Sequence, residues 1–205
     1  QTIMPKPKPS RKIIKQEMLW PTPYWYTHIW EFMRSETRVT FNEDMIGSIN
    51  GMIEKDEGVR KSNRGGWQSK LLPPTGELEP LSFEISEFCK SINLGINEIV
   101  IPQMWINVNK KNDWNAIHLH GQYNLSGTYY VKVPKDSGNI VFKDPRPAAM
   151  TNNFMVNTFD KGEFRKVKPI EGLLILFPSY LEHFVEPSNA DEDRISISFD
   201  VVITK

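Results

Sequence analysis

Apolar positions along the chain follow two different periods. Met45, Ile46, Ile49, Met52 and Ile53 recur at helical spacing and predict a helix over 43–56, with Asn42 placed to cap it. Leu81, Ile85, Phe88, Cys89 and Ile92 predict a second helix over 81–93. From Glu98 onward the pattern changes to short apolar runs divided by turn residues. Strands are expected at 98–108, 115–120, 125–133, 138–143, 154–158, 165–168, 172–178, 181–185 and 194–203. The last alternates cleanly through Ile195, Ser196, Ile197, Ser198 and Phe199. Two helices followed by a series of strands argue an α+β chain whose later half is a β-sandwich or jelly roll.

Upstream, residues 1–12 carry three prolines and four basic residues without apolar periodicity, the mark of a flexible basic arm. Residues 19–32 are dense in aromatics, and Pro21 and Pro23 forbid a regular helix at their start, so an extended segment packed on the core is expected. His28 lies there as a structural residue. Between the helices, Gly65 and Gly66 permit unusual backbone angles in a loop over 62–70 that Trp67 can anchor. The organisation expected is one domain over 13–205, with helical support at about 40–95 and a barrel at about 98–205.

Composition then narrows the function. Lys plus Arg and Asp plus Glu both number 25, so the net charge is zero and a nucleic-acid partner is disfavoured. One cysteine excludes an internal disulfide framework and a multi-cysteine zinc site. Cys89 sits on an apolar helix face and reads as a buried, inert thiol rather than a nucleophile. No run approaches the roughly 18 apolar residues of a membrane span, and the start lacks an apolar leader core. A soluble, cytoplasmic protein without a membrane partner is expected, and a homodimer is compatible with the sequence.

Three of the four histidines crowd into two short stretches. On a strand, His118 and His120 would point to one face. His183 follows the apolar run from Leu173 to Phe177 and a Pro178-Ser179 turn, where a polar ring needs a partner. Three imidazoles can form a facial metal cap with open positions; three hydrogen-bonded core histidines are the competing reading. Arg194 and Ser196 share a face of the final strand and form a ready clamp for a carboxylate, unless they are a surface ion pair and an outward polar stripe.

Taken together, the pattern resembles the 2-oxoglutarate/Fe(II)-dependent oxygenase superfamily, and within it a family of oxygenases known from marine bacteria and phages. The resembling stretches are Ser62 to Ser69, Trp105 with Asn107, His118 with His120, 125–131, 142–146, 172–187 and 194–200. The resemblance implies a double-stranded β-helix, a jelly-roll or cupin-like barrel, with helices packed on it. It implies an oxidoreductase, a dioxygenase of the hydroxylase type, that couples decarboxylation of 2-oxoglutarate to succinate with C–H oxidation of an unknown substrate, a protein side chain or a small metabolite. Fe(II) would be held by His118, His120 and His183, with O₂ and the cosubstrate completing the site. Arg194 would pair with the distal carboxylate of 2-oxoglutarate and Ser196 would add a second bond. If phage-encoded, the protein would work in the host cytoplasm.

One departure stands out: where the superfamily has an Asp or Glu two places after the first histidine, this chain has His120. A register starting at His120 would put Gln122 in the carboxylate place, so the three-histidine register is preferred. Cupins share the topology, but the glutamate expected after their histidine pair is replaced by Asn124 and Leu125. A cupin-like or degenerate metal-binding barrel, acting in recognition or as a phage component, is the alternative. Tyr129, taken with the apolar face Leu125, Gly127, Val131 and Val133, is expected to point into the barrel, either as a cosubstrate partner or equally as a core tyrosine. Trp105, Asn107, Asn115, Gln68 and Arg146 are candidates for the substrate pocket.

Overall fold

The computed structural model describes residues 13–19, 27–33, 38–92, 98–146 and 163–204. The expected arm (1–12) and the strand expected at 154–158 lie outside the described residues. In chain order the strands are β1 (Ile13–Leu19), β2 (Thr27–Met33), β3 (Asn63–Arg64), β4 (Trp67–Gln68), β5 (Glu98–Asn109), β6 (Trp114–His118), β7 (Leu125–Lys132), β8 (Ile140–Lys143), β9 (Phe164–Val167), β10 (Leu173–Pro178), β11 (His183–Val185) and β12 (Arg194–Thr204). The helices are α1 (Arg38–Ile53) and α2 (Glu79–Ser91).

The strands form two sheets in which every pair is antiparallel. The larger runs β1-β2-β10-β7-β12-β5-β4 and the smaller β3-β6-β11-β8-β9. Helices α1 and α2 pack on the larger sheet, against β7 and β5. The expected α+β chain is therefore present, and the aromatic-dense segment contributes β2, which lies between β1 and β10 in the larger sheet.

The larger sheet is buried on both faces, which decides how its strands must be read. Toward the helices it presents Met104, Ile106 and Val108 from β5, Leu125, Tyr129 and Val131 from β7, Leu174 and Leu176 from β10, and Ile195, Ile197, Phe199 and Val201 from β12. They meet Met45, Ile49, Leu81, Ile85, Phe88 and Cys89 in one apolar core. On the other face, Leu173, Ile175 and Phe177 of β10 meet Tyr130, Ile140, Phe142 and Val167 between the sheets. A strand covered on both faces reads as an unbroken apolar run, as β10 does. Burial of each large apolar side chain contributes about 1.5–3 kcal/mol.

Both helices start earlier than expected. Asn42 does not cap α1; it lies inside the helix, 2% exposed, and its Oδ1 accepts a 2.7 Å hydrogen bond from the Tyr129 hydroxyl. A polar residue at a helix interior reads as a start signal in sequence, and here it is a buried tertiary partner instead. α2 begins at Glu79 with Pro80 in its first turn, where the missing N–H costs nothing. Cys89 is buried, as expected, and burial pushes its thiol up to about 12.

The loop over 62–70 holds the short strands β3 and β4 around a Gly65-Gly66 turn with φ of 72° and 63°. A Cβ on Gly66 would lie 2.6 Å from the Val108 carbonyl, so only glycine lets this turn close onto β5. Trp67 anchors it through a 2.8 Å bond from Nε1 to the Asp56 carbonyl. The loop is thereby pinned where β5 ends and β6 begins.

Candidate metal and cosubstrate site

Between the two sheets, at the end where polar residues replace apolar ones, lies a cavity. Its lining includes Asn107 and Trp105 from β5, Ser126, Thr128 and Tyr130 from β7, Arg194, Ser196 and Ser198 from β12, and His118, His120 and His183. The alternation of the strands makes this face: the residues between the apolar, helix-facing positions of β5, β7 and β12 are the polar ones that point inward.

His118 ends β6, His183 opens β11, and the two are directly paired across the smaller sheet. His120 lies just beyond β6, held by a 2.8 Å bond from its backbone N–H to the Ser179 carbonyl. One ring nitrogen from each histidine lies within 4.8 Å of the others. The ring centroids of His118 and His183 are 4.3 Å apart, and His120 is 5.1 and 5.3 Å from them.

The far nitrogens are all engaged. His118 Nδ1 is 2.7 Å from the Ala116 carbonyl and His183 Nδ1 is 2.9 Å from the Leu181 carbonyl. A carbonyl only accepts, so both Nδ1 atoms carry the proton and both Nε2 atoms keep a lone pair. His120 Nδ1 lies 3.0 Å from Asp200 Oδ1, which accepts its N–H and turns Nε2 toward the other two rings. Burial holds His183 well below the ordinary imidazole value, with His118 adding to the effect. Burial also lowers His118. Both therefore favour the neutral form a metal requires. Three oriented imidazoles converging on one point fit a transition-metal ion.

Arg194 is 2% exposed and is the one Lys, Arg, Asp or Glu among the described residues lining the cavity. Its NH1 donates to the Ser137 carbonyl at 3.2 Å and its NH2 to Asn109 Oδ1 at 2.8 Å, while Nε has no partner. Burial lowers its pKa, and no described carboxylate answers its charge. Asn109 is held in turn: its Nδ2 donates to Asn115 Oδ1 (3.3 Å), whose Nδ2 donates to Ser62 Oγ (3.3 Å). A buried guanidinium facing a polar cavity, with no described carboxylate beside it, can receive an anionic group.

The expected site residues divide as follows. His118, His120, His183, Arg194, Ser196, Trp105, Asn107 and Asn115 all line this cavity. Gln68 lines an adjoining groove, which shares Ser62, Trp105, His118 and His120 with the cavity and also receives Gln122. Tyr129 does not enter the cavity. It faces the helices, bonded to Asn42 and packed edge-on against Phe41. The apolar face of β7 was expected inside the barrel, but the helices cover it, and the neighbouring Tyr130 points inward. Burial pushes the Tyr130 hydroxyl up to about 12, and the nearby Arg194 opposes that shift. Arg146 is taken by Asp144, with Nε and NH2 at 3.0 and 2.7 Å from its two oxygens, and lines neither cavity nor groove.

Tyr130, Asn109, Ser198 and Asp200 are the site residues that sequence reasoning missed. Two of them, Ser198 and Asp200, carried a signal: Arg194, Ser196, Ser198 and Asp200 form an unbroken polar alternation on β12. Read as one inward stripe, it would have led from the arginine to the aspartate.

Two facing antiparallel sheets, helices on the larger, and a histidine cluster between the sheets define a double-stranded β-helix protein with a candidate metal site. Residues 103–200 match the family described as "Putative 2OG-Fe(II) oxygenase", an enzyme family, and this stretch contains all three cavity histidines and Arg194. The fold agrees over most of the chain. A Pseudomonas putida prolyl-4-hydroxylase matches with a TM-score of 0.61 at 14% identity, covering 86% of this chain and 93% of that one. A viral collagen prolyl hydroxylase from Paramecium bursaria Chlorella virus-1, in its 2OG complex, gives 0.57 at 15%, covering 84% and 94%. HygX from Streptomyces hygroscopicus, with nickel and 2-oxoglutarate bound, gives 0.57 at 12%, covering 86% and 83%. Comparison with curated proteins finds no match. The chain is thus similar to the 2OG-Fe(II) oxygenases in sequence over residues 103–200 and in fold over most of its length.

Proposed function

We propose that this chain is an Fe(II)- and 2-oxoglutarate-dependent oxygenase of the hydroxylase type, releasing succinate as it oxidises a C–H bond of its substrate. The observation that carries the reading is the pairing, in one cavity, of three convergent imidazoles with a buried guanidinium that no described carboxylate answers. A metal alone would explain the histidines. A dicarboxylate that also binds the metal explains both.

His118, His120 and His183 would hold the iron, which when bound supplies activation of O₂. Their three donors on one side leave the opposite positions for cosubstrate and O₂. Arg194 would receive the distal carboxylate of 2-oxoglutarate, with Ser196 and Tyr130 as hydroxyl partners; Tyr130 takes the part expected of Tyr129. The Asn109, Asn115 and Ser62 chain fixes the guanidinium before the cosubstrate arrives, so little ordering remains on binding. Trp105 and Asn107 would line the approach from the groove, with Gln68 further out. Asn107 Oδ1 is a buried acceptor without a partner in the cavity. These features support a substrate C–H bond being presented from the groove side. The HygX and viral hydroxylase structures, named as holding 2-oxoglutarate, support the cosubstrate.

The test is succinate release from the purified chain with Fe(II), ascorbate and 2-oxoglutarate, with and without His183→Ala. The reading predicts uncoupled turnover that the variant abolishes. Absence of both 2-oxoglutarate binding and turnover in the wild type, or turnover unchanged in the variant, would overturn it.

A further inference from the structure

Resting on that reading of the metal site, we infer that Asp200 is a positioning residue for the metal, returning through His120 the negative charge that the three-histidine set lacks. The familiar facial set for non-haem iron has two histidines and one carboxylate. Here the third ligand place holds an imidazole, and a carboxylate stands directly behind it.

Asp200 is 1% exposed on β12, next in the inward stripe after Arg194, Ser196 and Ser198. Three donors converge on it. Ser126 Oγ donates to Oδ1 at 2.7 Å, His120 Nδ1 lies 3.0 Å from the same oxygen, and Gln103 Nε2 donates to Oδ2 at 3.1 Å. The arrangement has a fixed direction. A carboxylate only accepts, so the Ser126 proton points at Asp200, and Ser126 in turn accepts from Ser179 Oγ at 2.8 Å. Ser179 also holds the His120 backbone through its carbonyl. The His120 ring is stacked on Trp105, with centroids 5.5 Å apart and planes inclined by 17°. Asp200, Ser179 and Trp105 thus fix the ring from its edge, its backbone and its face.

The other two histidines donate to neutral carbonyls, and only His120 donates to a carboxylate. A carboxylate behind a ligating imidazole fixes its tautomer and raises its basicity toward the metal. The position that departs from the superfamily pattern is therefore the one with a charge built behind it. The carboxylate stands behind the imidazole rather than in the ligand place, and it is buried. No proton is gained or lost in this role, and Asp200 acts on the metal through the His120 ring.

The experiment is anaerobic Co(II) uptake by the full chain, with Asp200→Asn, which keeps the shape and removes the charge. The expected result is a 10- to 100-fold loss of affinity in the variant. Proton spectra of the Co(II) form should show three exchangeable, paramagnetically shifted imidazole N–H resonances in wild type. One of them should move and exchange faster with solvent in the variant, a signature that a merely structural aspartate would not give. Wild-type affinity in a folded Asp200→Asn protein would overturn the inference and leave the oxygenase reading intact. If the variant does not fold, the wild type still decides: three such resonances support the role, and two would show that His120 does not bind through Nε2, which overturns it. No Co(II) uptake by the wild type would instead overturn the metal-site reading itself.

Discussion

Replacing Arg194 with Met removes the one Lys or Arg among the described residues lining the cavity and nearly preserves its volume. Truncating one partner of a buried, hydrogen-bonded charge pair costs about 2–5 kcal/mol of binding, which is roughly 30- to 4,000-fold in affinity. The fold should tolerate the change. Asn109 Oδ1 and the Ser137 carbonyl lose their guanidinium donors, a cost of about 1–3 kcal/mol for a buried acceptor left unmade. Removing a buried cation that no described carboxylate answers offsets part of that cost. The assay is anaerobic calorimetry on the Mn(II)-loaded protein with two ligands, 2-oxoglutarate and 2-oxopentanoate, which has a methyl group in place of the distal carboxylate. Wild type should prefer 2-oxoglutarate strongly. Arg194→Met should lose at least about 30-fold for 2-oxoglutarate while binding 2-oxopentanoate nearly as before. A variant that keeps the preference, or that weakens both ligands equally while folded, would refute the assignment of the guanidinium to the distal carboxylate.

Adjacent tyrosines on β7 should behave oppositely. Tyr130→Phe is expected to weaken 2-oxoglutarate binding by about tenfold at unchanged stability, whereas Tyr129→Phe should spare binding and lower stability by about 1–3 kcal/mol by orphaning Asn42, as read by calorimetry and denaturant melts. Gly127→Ala should destabilise by about 1–3 kcal/mol, because its Cβ would run into the Ile175 carbonyl and the Phe199 ring; an unchanged urea midpoint would contradict the packing described for β7. Cys89 should resist a thiol reagent at pH 8 in the folded protein and react once in denaturant. Its thiol is held up at about 12 in the fold against an ordinary value of 9.0, so the unfolded chain releases the proton first and this contribution to stability is lost as pH rises from about 9 toward 12.

Much of the architecture was legible because it rests on local pattern. The runs at 98–108, 172–178 and 194–203 became β5, β10 and β12 with boundaries shifted by one residue. The three histidines and Arg194 were legible because their spacing is tied to strand and turn lengths. The error on β7 has a physical cause, which is that both faces of the larger sheet are buried there. On β7 every residue from Leu125 to Val131 is buried, so hydrophobicity could not say which of Tyr129 and Tyr130 faced the cavity. The helices that claim the apolar face are 87 residues away in sequence, at the Asn42 to Tyr129 contact. Asp200 was hidden for a related reason: its partners Ser126 and Gln103 are 74 and 97 residues distant. Arg146 failed at short range, since nothing in the order Asp144-Pro145-Arg146 shows that the two side chains close on each other.

The central claim is that one cavity holds a metal on three histidines and a dicarboxylate on Arg194. The most direct measurement is a crystal structure of the chain grown without oxygen with Mn(II) and 2-oxoglutarate, the ion located by its anomalous scattering. The account predicts a single Mn(II) peak bounded by Nε2 of His118, His120 and His183, with the distal carboxylate of 2-oxoglutarate on the Arg194 guanidinium. An ion bound elsewhere, a histidine turned away from it, or a cosubstrate that leaves Arg194 untouched would contradict it.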